Sequence, residues 1–155
     1  MSTEDKIIAL EGAGKLVRVS PRLRGREAEV RRISLLKDPV HDWTVGKGHG
    51  QDVRAASRAH FGVFVKGELV DDRIFMKRVS RRQSNGIDDF SDEVWSVRAL
   101  AQPQYRFFGA FGCPNWLIIL TMRPRRYFSL VPNAWEREMN KTLRIWAIRM
   151  RLGNV

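Results

Sequence analysis

Five arginines and one tyrosine stand out as residues whose type and spacing suit chemistry on a phosphate: Arg98, Arg106, Arg123, Arg125, Arg126 and Tyr127. A guanidinium carries fixed positive charge in a geometry that meets two phosphate oxygens at once. A tyrosine beside several cations stacks on a base or relays a proton. Metal-free cleavage of RNA needs a base for the ribose 2′-OH, cations for the pentacoordinate phosphate and an acid for the 5′-oxygen. Arg106, Arg123 and Tyr127 are the candidate catalytic residues on this pattern. Arg98, Arg106, Arg125, Arg126, Lys77 and Arg78 are the candidate nucleic-acid contacts, with Lys77 or His60 in assisting roles. Taken singly, each arginine equally suits a side chain snorkelling at a sheet edge, and the tyrosine a cap on the core. Their arrival at one end of a sheet is what favours binding.

That sheet is predicted from the stretch between Trp95 and Tyr127. Residues 94–100 read as a strand, Gln102-Pro103-Gln104 as a turn, Tyr105–Phe111 as a second strand and Gly112–Asn115 as a second turn. Trp116–Met122 is almost continuously apolar, as in a strand in the middle of a sheet. Short links of this kind make an antiparallel meander. A helix follows from about Ala134 to Arg151, in which Trp135, Met139, Leu143, Trp146 and Met150 form one apolar stripe suited to packing on the sheet. Its other side carries Arg137, Lys141, Arg144, Arg149 and Arg151.

The earlier chain reads less clearly. The first six residues are expected to fray, and Ile7–Leu10 and Leu16–Val19 read as short strands around Gly12-Ala13-Gly14. A helix is expected over Glu27–Leu36, started by Ser20-Pro21 and ended by Pro39. Residues 45–52, VGKGHGQD, read as a plain flexible loop ahead of phosphate contact, and residues 53–60 as a short helix. Phe61–Val65 looks β-like, residues 74–79 fit strand or helix, and residues 80–92 read as a polar connection. The expected fold class is α+β, an antiparallel meander of about three to five strands flanked by helices. Residues 1–60 would form an N-terminal extension or subdomain and residues 61–155 the core, together one compact domain.

Composition narrows the partner. The chain has 155 residues, a formal net charge of +11 and a pI of about 10.8. Residues 93–155 hold 10 basic and 3 acidic side chains, so most of the imbalance sits in the last strands and the helix behind them. Such asymmetry points to a polyanion on one face. The single cysteine, Cys113, excludes an internal disulfide and fits a reducing compartment, and the chain offers neither a membrane span nor a signal peptide, so a cytoplasmic protein is expected. His41, His49 and His60 lack ligand spacing, and Asp71-Asp72 and Asp88-Asp89 read as solvated charge, so no metal and no cofactor is expected. Gly14-Lys15 lacks the spacing of a phosphate loop, and no serine-hydrolase motif is present.

The succession VWSVR, QYRFFGAF, WLIILTMRPRRY and a long helix resembles the C-terminal part of RelE/HigB-type toxins, over roughly residues 93–150. The resemblance implies a RelE-like fold, ribosome-dependent cleavage of mRNA without metal, and an antitoxin-like protein partner. It matches Arg98, Arg106 and the Arg123–Tyr127 segment to the family's basic positions. The alternative is a non-catalytic phage or mobile-element protein that uses the same basic face to hold nucleic acid or inhibit an acidic partner.

Overall fold

The computed structural model describes residues 2–47, 50–67, 76–79, 94–98 and 103–152. The chain starts with a helix, α1 (Thr3–Gly12), where fraying and a strand are expected. Ser2 caps it, its hydroxyl accepting from the Asp5 amide, and Glu4 and Asp5 complement the helix dipole in the first turn. Ile7 and Leu10, one turn apart, are its buried residues, while Ile8 is exposed. β1 (Leu16–Arg18) follows as expected.

The helix expected over Glu27–Leu36 is replaced by a strand, β2 (Arg32–Leu36). Ile33, Ser34, Leu35 and Leu36 are all buried, so the strand is covered on both faces and shows no alternation. Its apolar spacing mimics a helix because burial on both sides erases the two-residue period. A turn over Lys37–His41 and a single helical turn, α2 (Asp42–Thr44), lead to α3 (Gln51–Val65). The expected helix is thus present but longer, and Phe61–Val65 forms its end instead of a strand. Val53, Ser57, Phe61 and Phe64 make the buried face that extends it.

The remaining strands are β3 (Met76–Val79), β4 (Val94–Arg98), β5 (Tyr105–Cys113) and β6 (Trp116–Pro124). The six strands among the described residues form one sheet in the order β1-β2-β6-β5-β4-β3. The expected β4–β5–β6 meander is there, with antiparallel pairing throughout. The sheet as a whole is mixed, because β2 runs parallel to β6. That pairing needs a long crossover and leaves no local trace in the sequence. A bulge between Phe108 and Gly109 depends on glycine: a Cβ there would stand 1.9 Å from the Ile118 carbonyl oxygen.

A short helix, α4 (Tyr127–Leu130), and the helix α5 (Ala134–Trp146), continued by a wider helical turn over Ala147–Leu152, follow the sheet. Met139, Leu143 and Trp146 are buried as the stripe predicts. Adjacent positions on β5 point to opposite faces. Phe107 meets Trp43 and Phe61, so α2 and α3 cover one face. Phe108 meets Phe128 and Trp135, so α4 and α5 cover the other. Ile7 and Trp146 both approach Gly112, which puts α1 beside α5. The core runs from Ile7 to Trp146, and strands from residues 1–60 and 61–155 share one sheet. The connection at 80–92, the carboxylate pairs Asp71-Asp72 and Asp88-Asp89, and His49 lie outside the described residues.

Candidate nucleic-acid interface

The antiparallel register lines up three arginines in a single row. Arg98 on β4 stands opposite Arg106 on β5, and Arg106 stands opposite Arg123 on β6. All three share the parity of Phe108, so the row lies on the α5 face near the end of the sheet. Two β-strands carrying arginine directly opposite arginine are electrostatically unfavourable by themselves.

The three are used differently. Arg123 donates from Nε to Glu138 Oε1 at 3.0 Å, and its guanidinium lies 4.5 Å from the centre of the Tyr127 ring. Glu138 comes from α5 and is 1% exposed while Arg123 is 35% exposed, so this pair is a half-buried strut between sheet and helix. Arg106 is 7% exposed, and its Nη1 donates to Gln104 Oε1 at 3.2 Å. None of the ion pairs among the described residues includes it. Burial, and then the charges of Arg98 and Arg125, push its pKa down to about 10. It therefore remains a cation at neutral pH, with other cations as its charged neighbours.

A cleft of about 610 Å³ opens at this end of the sheet. Arg106, Arg125 and Arg126 supply its positive wall, with Gln104 between them. Phe128 and Trp135 supply an aromatic wall, stacked at 4.4 Å with their planes 27° apart. Trp135 is 43% exposed, because the first turn of α5 stands beside the cleft and not over the core. Its place in the apolar stripe gave no hint of this. The Arg125 amide donates to the Gln104 carbonyl at 2.9 Å, which ties the strand that enters the cleft to the one that leaves it.

The structure thus brings Arg106, Arg125 and Arg126 together around one cavity. Arg98 joins the row through Arg106 but is not part of the cleft lining. Arg123 and Tyr127 form their own unit against Glu138, also off the lining. β3 register places Lys77 opposite Ser96 and Arg78 opposite Trp95, and only their backbone is described. His60 sits on α3, on the opposite side of the sheet, half-buried and with its pKa lowered by burial. Among the described residues no group of His, Cys, Asp and Glu is placed to hold a metal ion. No helix among them is long and apolar enough to cross a membrane.

The opposite end of the sheet shows arginines with carboxylates. Arg18 meets Glu11 through Nε at 3.0 Å and Nη2 at 2.6 Å, and this hydrogen bonding raises the Arg18 pKa. Ser34 donates to the same carboxylate and accepts from Trp116 Nε1. Arg32 pairs with Glu4, and the guanidiniums of Arg18 and Arg32 lie 4.6 and 4.7 Å from the Trp116 ring centre. A scan against protein-family models finds no match to the chain, and searches of curated proteins and of solved structures find none either.

Proposed function

We propose that this is a nucleic-acid-binding protein that holds a single strand, with RNA favoured, in the cleft formed by Arg106, Arg125, Arg126, Phe128 and Trp135. One observation carries the proposal: Arg106 is nearly buried, stays charged, and has Arg98 and Arg125 as its charged neighbours. Among the described residues no carboxylate pairs with it, burying a cation in that setting is costly, and an anion in the cleft offsets that cost. A phosphate meets the guanidiniums in bidentate geometry. A partly exposed tryptophan beside them offers ring surface for a stacked base, the usual partnership in single-strand recognition. The net charge of +11 supplies the long-range attraction.

RNA is preferred over DNA on the resemblance of the sequence over roughly residues 93–150 to RelE/HigB toxins. That likeness also extends to cleavage, with Arg106 on the phosphate and Arg123 and Tyr127 beside it. Holding is the better supported half, since the fixed cations line the cleft and Tyr127 does not. The test is a titration of labelled single-stranded RNA and DNA against the wild type and Arg106→Ala, followed by electrophoresis of the RNA with and without ribosomes. Binding that weakens at least tenfold in the variant supports the proposal. Equal binding by both proteins overturns it. Shortened RNA that stays intact with Arg106→Ala and with Tyr127→Phe adds the nuclease activity.

A further inference from the structure

Trp135 marks the point where the cleft meets α5, and the outer face of that helix carries a second set of cations. Arg137, Lys141 and Arg144 are all exposed, at steps of four and three residues, and therefore line one side of the helix. Met139, Leu143 and Trp146 face the sheet on the other side. None of the ion pairs among the described residues uses these three cations. Like charges at these steps weaken a helix, so the arrangement is unfavourable for α5 by itself. From Arg137 to Arg144 the ridge runs about 10 Å along the axis, at 1.5 Å per residue. It begins two residues after the tryptophan that borders the cleft, which puts it on the other side of α5, so a strand that leaves the cleft reaches the ridge by passing around the first turn of the helix.

We infer that the outer face of α5 is a track for the phosphate backbone of the same strand whose end or loop sits in the cleft. The inference rests on the cleft reading and deepens it. The protein then takes oligonucleotides longer than the cleft can hold, and it grips the flanking residues by backbone charge alone. Each cation that meets a phosphate releases condensed counterions, so the ridge adds a salt-dependent, sequence-independent share of the affinity.

The experiment compares a tetranucleotide, sized for the cleft, with a dodecanucleotide of the same repeating sequence. Both are titrated across a salt series against the wild type and the triple variant R137Q/K141Q/R144Q. The expected result is that the variant binds the tetranucleotide like the wild type and loses at least tenfold on the dodecanucleotide. The slope of log K against log salt for the long strand should fall by about 2, from roughly 0.7 per neutralised phosphate. Unchanged affinity and slope on the dodecanucleotide would overturn the track while leaving the cleft intact. A tetranucleotide that does not bind even the wild type would overturn the cleft reading and with it the continuous path, whatever the variant loses on the long strand. Equal loss on both lengths would overturn the assignment of distinct roles, and tetranucleotide binding also verifies that the variant is folded.

Discussion

The two ends of the sheet use the same residue in opposite ways. At the end where β5 turns into β6, Arg18 and Arg32 are paired with Glu11 and Glu4 and lie against Trp116. At the far end, Arg106 is nearly buried and, among the described residues, the charges that act on it are those of Arg98 and Arg125. The pKa directions follow: that of Arg18 rises through its carboxylate, and that of Arg106 falls through burial and like charge. Arginine at the first end is part of the protein's own structure. At the second it is held among like charges, the state that the proposed anion would relieve.

The largest effect that separates the two ends is on binding. Arg106→Met removes a charge-assisted contact of about 1.5–3 kcal/mol, so affinity for single-stranded RNA should fall roughly ten- to hundredfold. Its melting temperature should stay level or rise, because a buried like charge has gone. A variant that unfolds and still binds would erase the contrast. Next comes Glu11→Gln at the paired end, which leaves Arg18 without its carboxylate and disturbs the Ser34 and Trp116 hydrogen bonds. About 2 kcal/mol of stability should be lost in denaturant melts, with RNA affinity unchanged.

A smaller effect comes with pH. Arg106 has a folded pKa of about 10, well below that of the free side chain, so its charge costs stability fully below pH 10. Between those values the unfolded chain binds more protons, and stability rises with pH. The wild type should therefore gain on Arg106→Met as pH climbs through 10, read as the difference between their denaturant midpoints. RNA affinity should be flat from about pH 6 to 9, because arginine stays protonated there. A step near neutrality would implicate a histidine instead. The smallest effect is expected at the exposed Arg32–Glu4 pair: Glu4→Gln should change stability by no more than about 0.5 kcal/mol.

The pairing of the strands that carry Arg98 and Arg106 was legible because β4, β5 and β6 are joined locally, whereas Arg123, expected just after the third strand, lies within β6 opposite Arg106. Their α+β setting, and the packing of Met139, Leu143 and Trp146, followed from the same local patterns. β2 was not legible: it is buried on both faces and paired in parallel with a strand some eighty residues away in sequence, as the Trp116–Ser34 bond across |i−j| of 82 illustrates. α1 was missed although Ser2 and Asp5 are a helix start in miniature, because two isoleucines in succession look like a strand. The aromatic wall was missed for another reason. Trp135 fits the buried stripe by spacing, and only the position of α5 relative to the sheet end exposes it. Nothing in the sequence distinguishes an arginine tied to a carboxylate, such as Arg123 on Glu138, from one left among cations.

The most direct measurement removes the same charge from each end. Fluorescence anisotropy of one labelled single-stranded RNA would be titrated with Arg125→Gln/Arg126→Gln and with Arg18→Gln/Arg32→Gln at equal salt. The cleft pair should lose at least tenfold in affinity, about 1.4 kcal/mol, while the paired end stays within twofold of the wild type. Equal losses from both would mean that RNA is drawn by total charge alone, and would contradict the assignment of the cleft as its site.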